Sequence, residues 1–285
     1  MNVAKEHGIG VAQEADDVCA LPLVRRLAAT LDLEPSRWRE GDALPRGWHL
    51  ALFTVDTPHS RVRADGLAGL GVKLPDVGLP RIVFGGRTIR FHGDIAIGAH
   101  LRRVSRLLSV TPKEGRSGRL AIAQIQHEIF VADAVKPAII ELQSYVMREA
   151  AAAQGDPAPA AAPRAAMPAP VKQRVVVPDE ILLFRVSAVM FNPHRIHYDL
   201  PFAKDVERYP ALVVNGSVSS LLLLEFYREQ AGREPDFIGL RNVGLAFCGR
   251  PLRLNAIPGE DRWRMWADDE HGSVAVEGEI GTGLQ

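Results

Sequence analysis

At 285 residues, with 47% hydrophobic and 24% charged side chains, the sequence has the composition of a soluble globular protein, long enough for one large domain or two ordinary ones. Thirty-four Lys and Arg balance 34 Asp and Glu, which excludes nucleic-acid or membrane binding driven by bulk charge. Cys19 and Cys248 are too few for a disulfide framework and lack metal-ligand spacing, the polar residues 1–17 lack the apolar core of a signal peptide, and no apolar run approaches the ~20 residues of a membrane span, so a reducing cytoplasm is the expected location.

In chain order, residues 1–17 read as a mobile leader. Apolar residues at helical spacing (Leu23, Leu27, Leu31) predict a helix over 21–33, with Pro35 just beyond its end. Residues 48–55 read as a strand closed by Pro58. Residues 56–80 are rich in Gly, Pro and Asp, the composition of a functional cover or a mobile loop. Strands are expected over 81–91, 101–110 and 120–131, the last two joined by a hairpin turn at 113–118. Residues 139–147 read as strand or short helix. Residues 150–170 are nearly all Ala and Pro and cannot build a core, which predicts an N-terminal half (1–149), a linker (150–174) and a C-terminal half (175–285). In the second half a strand is expected over 180–189, an apolar helix over 217–231 with Gly232 as its C-cap, and strands over 237–247, 262–267 and 273–279.

The densest chemistry lies between the first strand and the helix of that half. Asn192, His194, His197 and Asp199 fall within eight residues bounded by Pro193 and Pro201, which deny the stretch a regular helix or a central strand. Asn215-Gly216-Ser217 then opens the helix on small polar residues with free backbone N–H groups. A histidine-bearing loop facing a helix N-terminus supplies a proton-transfer group and an oxyanion site, a combination suited to chemistry on a thioester carbonyl.

Ile196-His197-Tyr198-Asp199 followed by Pro201-Phe202-Ala203 resembles the signature of the MaoC-like (R)-specific enoyl-CoA hydratases. The fuller string from Phe191 to Asp199, with Tyr209-Pro210 and Leu212-Val213-Val214 after it, resembles a narrower branch. That branch holds the mitochondrial-type 3-hydroxyacyl-thioester dehydratases and the mesaconyl-C4-CoA and itaconyl-CoA hydratases. The resemblance implies an α+β tandem hot-dog fold, each half a curved antiparallel sheet around a helix, with the N-terminal half contributing walls rather than chemistry. A faint internal repeat agrees: Phe91-His92-Gly93 and Phe247-Cys248-Gly249 each precede a strand pair.

The resemblance implies reversible hydration of a 2-enoyl-CoA, or dehydration of a 3-hydroxyacyl-thioester, with substrates such as mesaconyl-C4-CoA or itaconyl-CoA. CoA or an acyl-carrier pantetheine is the substrate handle, with no metal or redox cofactor, and the chain is expected to act as a homodimer. His197 is the expected acid/base, since an imidazole of ordinary pKa about 6.5 titrates near working pH. Asn192 stands where the single-domain relatives carry a catalytic Asp; it either orients water or only caps the loop, and Asp199 is the alternative second acid/base. Gly216 offers a backbone N–H to the thioester oxygen, or serves only the turn. His194, Arg195, Tyr198, Asp199, Asn215 and Ser217 are the expected substrate contacts, Asn215 and Ser217 being departures from the usual family residues. Glu225 reads as structural and His127-Glu128 as packing. Two other classes stay open: a hot-dog thioesterase and a non-catalytic acyl-thioester-binding subunit.

Overall fold

The computed structural model describes residues 9–115, 118–149 and 167–283; residues 150–166 of the expected linker lie outside them. Ten strands are present: β1 (Ala12–Val18), β2 (Arg81–Phe91), β3 (His100–Gly115), β4 (Gly118–Val131), β5 (Ile139–Arg148), β6 (Lys172–Val176), β7 (Phe237–Asn242), β8 (Leu252–Ile257), β9 (Arg262–Asp269) and β10 (Val274–Gly281). Three α-helices accompany them: α1 (Leu21–Thr30), α2 (Glu180–Val189) and α3 (Gly216–Ala231). The strands form one sheet in the order β1-β3-β4-β5-β2-β7-β10-β9-β8-β6. Every pairing is antiparallel. Each half has the same internal order, and the halves join where Gly86–Arg90 of β2 pairs with Arg241–Phe237 of β7.

Strand β4 shows how the pattern works. Ala121, Ala123, Ile125, His127 and Ile129 are buried on one face at period two, with half-buried residues between them. Helix α3 begins where Asn215 Oδ1 accepts the Ser217 N–H at 2.7 Å and ends at Gly232, held at φ 65° in the left-handed region as a C-cap. It lies on β8, β9 and β10 and buries Val218, Leu221, Leu223, Leu224, Phe226 and Tyr227, each large apolar side chain contributing about 1.5–3 kcal/mol. Its other side meets the N-terminal half: Trp48 Nε1 donates to Glu225 Oε1 at 2.8 Å, and Arg228 donates to Glu225 and to the Arg46 carbonyl. Glu225 is thus a structural clamp between halves.

Four local expectations are corrected. Residues 180–189 form a helix, because Asp179 Oδ1 caps the Leu182 N–H at 2.8 Å and Glu180 lies in the first turn, favourable at a helix N-terminus. Residues 48–51 form a buried 3₁₀ turn rather than a strand; Gly47 enters it at φ 97°, and a Cβ there would meet Leu224 Cδ1 at 2.5 Å. Residues 12–17 of the expected leader belong to strand β1, paired with β3. Residues 172–176, across the expected boundary between linker and C-terminal half, are strand β6, paired with β8; the sequence pattern singled out neither strand.

In the N-terminal half the segment from Thr54 to Pro80 covers the sheet where the other half has α3. Val72 and Leu79 join a separate apolar cluster with Leu107, Ala121, Ala123, Ile125 and Met147. Among the described residues no helix is long and apolar enough to cross a membrane.

Candidate active site

Between the halves lies a cleft of about 330 Å³, walled by β2–β5, by the covering segment, by the loop after α2 and by the start of α3. His197 reaches it from a 3₁₀ turn, Arg195–His197. The turn is fixed at both ends. Asn192 Oδ1 accepts the His194 N–H at 3.1 Å, and Asp199 Oδ1 accepts the Phe202 N–H at 3.1 Å. Behind it, Val213 N donates to the Ile196 carbonyl at 3.0 Å.

His197 is buried, and its Nδ1 lies 2.7 Å from the Val213 carbonyl oxygen. A carbonyl can only accept, so Nδ1 carries the proton and Nε2 is left as a lone-pair nitrogen for the cleft. Burial pushes the imidazole pKa down to about 4, His194 beside it adds to that, and the Val213 bond opposes it only partly. His197 is therefore neutral, a base, at ordinary pH. The His194 ring meets it edge-on at 5.3 Å and also lines the cleft, its own pKa lowered by burial against the pull of Asp65 and Glu207.

Gly216 lines the same cleft as the first residue of α3, where a backbone N–H has no intrahelical acceptor. A Cβ at this position would lie 2.9 Å from Asn242 Nδ2 and 3.1 Å from Phe84 Cδ1, so only glycine lets the helix start sit this close to β7 and β2. Asn215 is buried as the helix N-cap, and Ser217 Oγ accepts from Arg87 Nη2 at 3.1 Å. Both line the cleft.

Asn192 lines the cleft too, with its oxygen committed to the loop and its NH2 group left as donor. Arg195, Tyr198 and Asp199, read from sequence as substrate contacts, are not on the cleft wall. Arg195 Nη2 pairs with Asp199 Oδ2 at 2.8 Å, stacks on Phe202 and holds the Ala64 carbonyl, while Tyr198 is exposed and donates to the Pro193 carbonyl. The Phe202 amide first, and then Arg195, hold the Asp199 carboxyl below the usual range, so it is a poor proton donor. These three residues lock the loop and dock it on the covering segment, where Arg195 N donates to the Asp65 carbonyl at 2.9 Å.

Sequence reasoning missed the opposite wall. Ser105, His127 and Glu141 stand side by side across β3, β4 and β5, with Gln143 and Arg87 in the adjacent row of the same face. Glu141 is buried; Arg87 Nη1 is 3.2 Å from its Oε1, His49 Nε2 is 3.4 Å from its Oε2, and Gln143 donates to it at 2.9 Å. Burial opposes its charge, but Arg87 first, then His49 and His127, hold the carboxyl well below the usual range. Burial lowers the His127 pKa to about 4, and its Nδ1 is 2.8 Å from Ser105 Oγ. The period-two alternation was visible in sequence, but it does not tell which polar residues on a buried strand face meet across the sheet; His127 sits among Ile125 and Ile129, and only register sets Ser105 and Glu141 beside it.

Comparison with known proteins places this geometry. A family model described as hydroxyacyl-thioester dehydratase type 2 matches residues 47–248. Mesaconyl-C4-CoA hydratase of Chloroflexus aurantiacus is 37% identical over 274 residues, covering 95% of each chain. A MaoC-like dehydratase structure from Phytophthora capsici superposes with a TM-score of 0.71 at 15% identity, covering 100% of this chain and 98% of that one. The HtdX structure from Mycobacterium tuberculosis gives a TM-score of 0.67 at 16% identity, covering 96% of this chain and all of that one. The sheet and helix α3 thus share the fold of these dehydratases, a hot-dog fold, and the chain belongs to the hydroxyacyl-thioester dehydratase type 2 family.

Proposed function

We propose that the protein reversibly hydrates a 2-enoyl-CoA, adding water across the double bond next to the thioester, with a short dicarboxylic acyl group such as that of mesaconyl-C4-CoA as substrate. The observation that carries this reading is the state of His197: its Nδ1–H is spent on the Val213 carbonyl, and the unprotonated Nε2 shares a cleft with the N-terminus of α3.

In the hydration direction the thioester oxygen takes the Gly216 N–H, which polarises the conjugated carbonyl. Nε2 of His197 removes a proton from a water molecule as its oxygen bonds to the β-carbon. The π electrons move to the α-carbon and the thioester oxygen, giving an enolate held at the helix start. The imidazolium then returns its proton to the α-carbon, so atoms and charge balance and the histidine ends neutral. A base with pKa about 4 makes an acidic imidazolium, which favours that return. Asn192 donates from its NH2 group to the water oxygen and orients it. The repeated strand order on either side of β2 and β7 supports a duplicated hot-dog in which the C-terminal half keeps these groups.

The reading is tested by following loss of the conjugated enoyl-thioester absorbance with crotonyl-, mesaconyl-C4- and itaconyl-CoA. Hydration without free thiol is the expected result. Release of CoA thiol with no hydrated product would make the protein a thioesterase and end the proposal.

A further inference from the structure

Three arginines line the cleft from the N-terminal wall; Arg81 pairs with Glu207 at 2.6 Å, and this chemistry uses neither Arg87 nor Arg103. Arg87 spends Nη1 on Glu141 and Nη2 on Ser217 Oγ, while its Nε is buried without a hydrogen-bond partner. Arg103, on β3, donates Nη1 to the Phe53 carbonyl at 3.2 Å and lies over the Phe53 ring. Its Nε is also buried without a partner, and among the described residues no carboxylate lies within ion-pair distance of its guanidinium. Glu141 first, and then Asp17, act on it from further away; Glu141 is engaged by Arg87 and Gln143, and Asp17 gives its oxygens to the Val18 and Phe53 amides. Both arginines line the cleft. A guanidinium is always charged, and burying one with open donors costs free energy unless an acceptor arrives.

The position of this wall limits what the acceptor can be. Ser217, which Arg87 touches, directly follows Gly216, the donor to the thioester oxygen. A carboxylate on Arg87 is therefore close to the reacting carbonyl, and Arg103 lines the same cleft from β3. In a thioester of a four-carbon diacid chain, the free carboxylate carbon is three bonds from the thioester carbonyl carbon, about 3.8 Å away when trans, the span of one peptide unit. A long alkyl chain directed at this wall would instead desolvate two guanidiniums without replacing their hydrogen bonds.

Resting on the hydratase reading of the cleft, we propose that Arg103, on the same cleft wall as Arg87, binds the free carboxylate of the acyl group and selects mono-thioesters of short dicarboxylic acids over neutral acyl-CoAs. The Nε–H and an Nη–H of Arg103 make the fork that a carboxylate accepts. Glu141 holds Arg87 in place without filling the Arg103 fork.

Equilibrium binding of succinyl-CoA and butyryl-CoA tests this directly. Both are saturated, so nothing can be hydrated, and they differ only in carrying a carboxylate or a methyl at the same carbon. The full-length protein is expected to prefer succinyl-CoA by roughly 10–100-fold, the worth of a charge-assisted hydrogen-bonded pair. Arg103→Gln should bring that ratio to within about threefold of one, and Arg103→Lys should leave an intermediate ratio, keeping charge without the fork. A wild-type ratio near or below one overturns the proposal whether or not the variants fold. So does an unchanged ratio in folded Arg103→Gln. Hydration of crotonyl-CoA reports separately on the catalytic reading: turnover with no carboxylate preference rejects only the arginine site, and a carboxylate preference with no turnover of any enoyl-CoA rejects only the hydratase.

Discussion

Lowering the pH from 7 to 5.5 is expected to leave kcat/KM for enoyl-CoA hydration almost unchanged. The His197 pKa is pushed down to about 4 by burial and by His194. A base of pKa about 4 is roughly 97% unprotonated at pH 5.5, whereas a histidine of ordinary pKa 6.5 is only about 9% unprotonated, a tenfold difference in the active form. Activity should be full above about pH 5 and fall as the pH drops through about 4. The assay is initial rate at subsaturating substrate from pH 4.5 to 8, with folding followed at each pH. Folding needs its own control because stability has the same sign. His197 and His127 are both buried with pKa about 4, so between about pH 4 and 6.5 the unfolded chain binds protons that the folded chain does not. The stability present above pH 6.5 is lost on acidification through that window, each histidine contributing on the order of 3 kcal/mol. An acid limb centred near pH 6.5 in protein that is still folded would refute the argument.

Other substitutions probe the remaining parts. Gly216→Ala should lower kcat about 10–100-fold, because Asn242 is itself tied to the Phe84 carbonyl at 3.2 Å and cannot make room for the new methyl; initial rates check it. Asn192→Ala should cost about ten- to a hundredfold in kcat/KM, a hydrogen bond worth roughly 1–3 kcal/mol, while Asn192→Asp, which keeps the loop-capping oxygen, should retain most activity. Glu141→Gln should destabilise the fold by about 3–5 kcal/mol, measured by urea unfolding, since it leaves Arg87 as an unpaired buried charge.

The sheet was legible where one face of a strand is apolar: β2 and β4 read as strands, and α3 with its Gly232 cap follows from its apolar run, whereas β5 reads as strand or short helix. Strands β1, β6 and β8 were not: the residues of β1 and β6 are mostly exposed and polar and owe their conformation to pairing with β3 and β8, while β8 was missed although Leu252, Leu254 and Ala256 are buried. Helix α2 was misread because Ile181 to Val186 is nearly continuous in apolar residues, a pattern that helix and buried strand share; the Asp179 cap was the available signal. At the site, His197, Asn192 and Gly216 were named from the resemblance of the loop and the helix start that follows it, and all three line one cleft. Arg87, Arg103, His127 and Glu141 come from four separate strands, and only register unites them.

The most direct measurement of the account is kcat/KM of His197→Ala for enoyl-CoA hydration, beside the wild type, with folding and CoA-ester binding verified. Loss of the positioned base should lower it by ~10²–10⁴-fold while the acyl-CoA still binds. A folded His197→Ala variant that hydrates enoyl-CoA at the wild-type rate would contradict it.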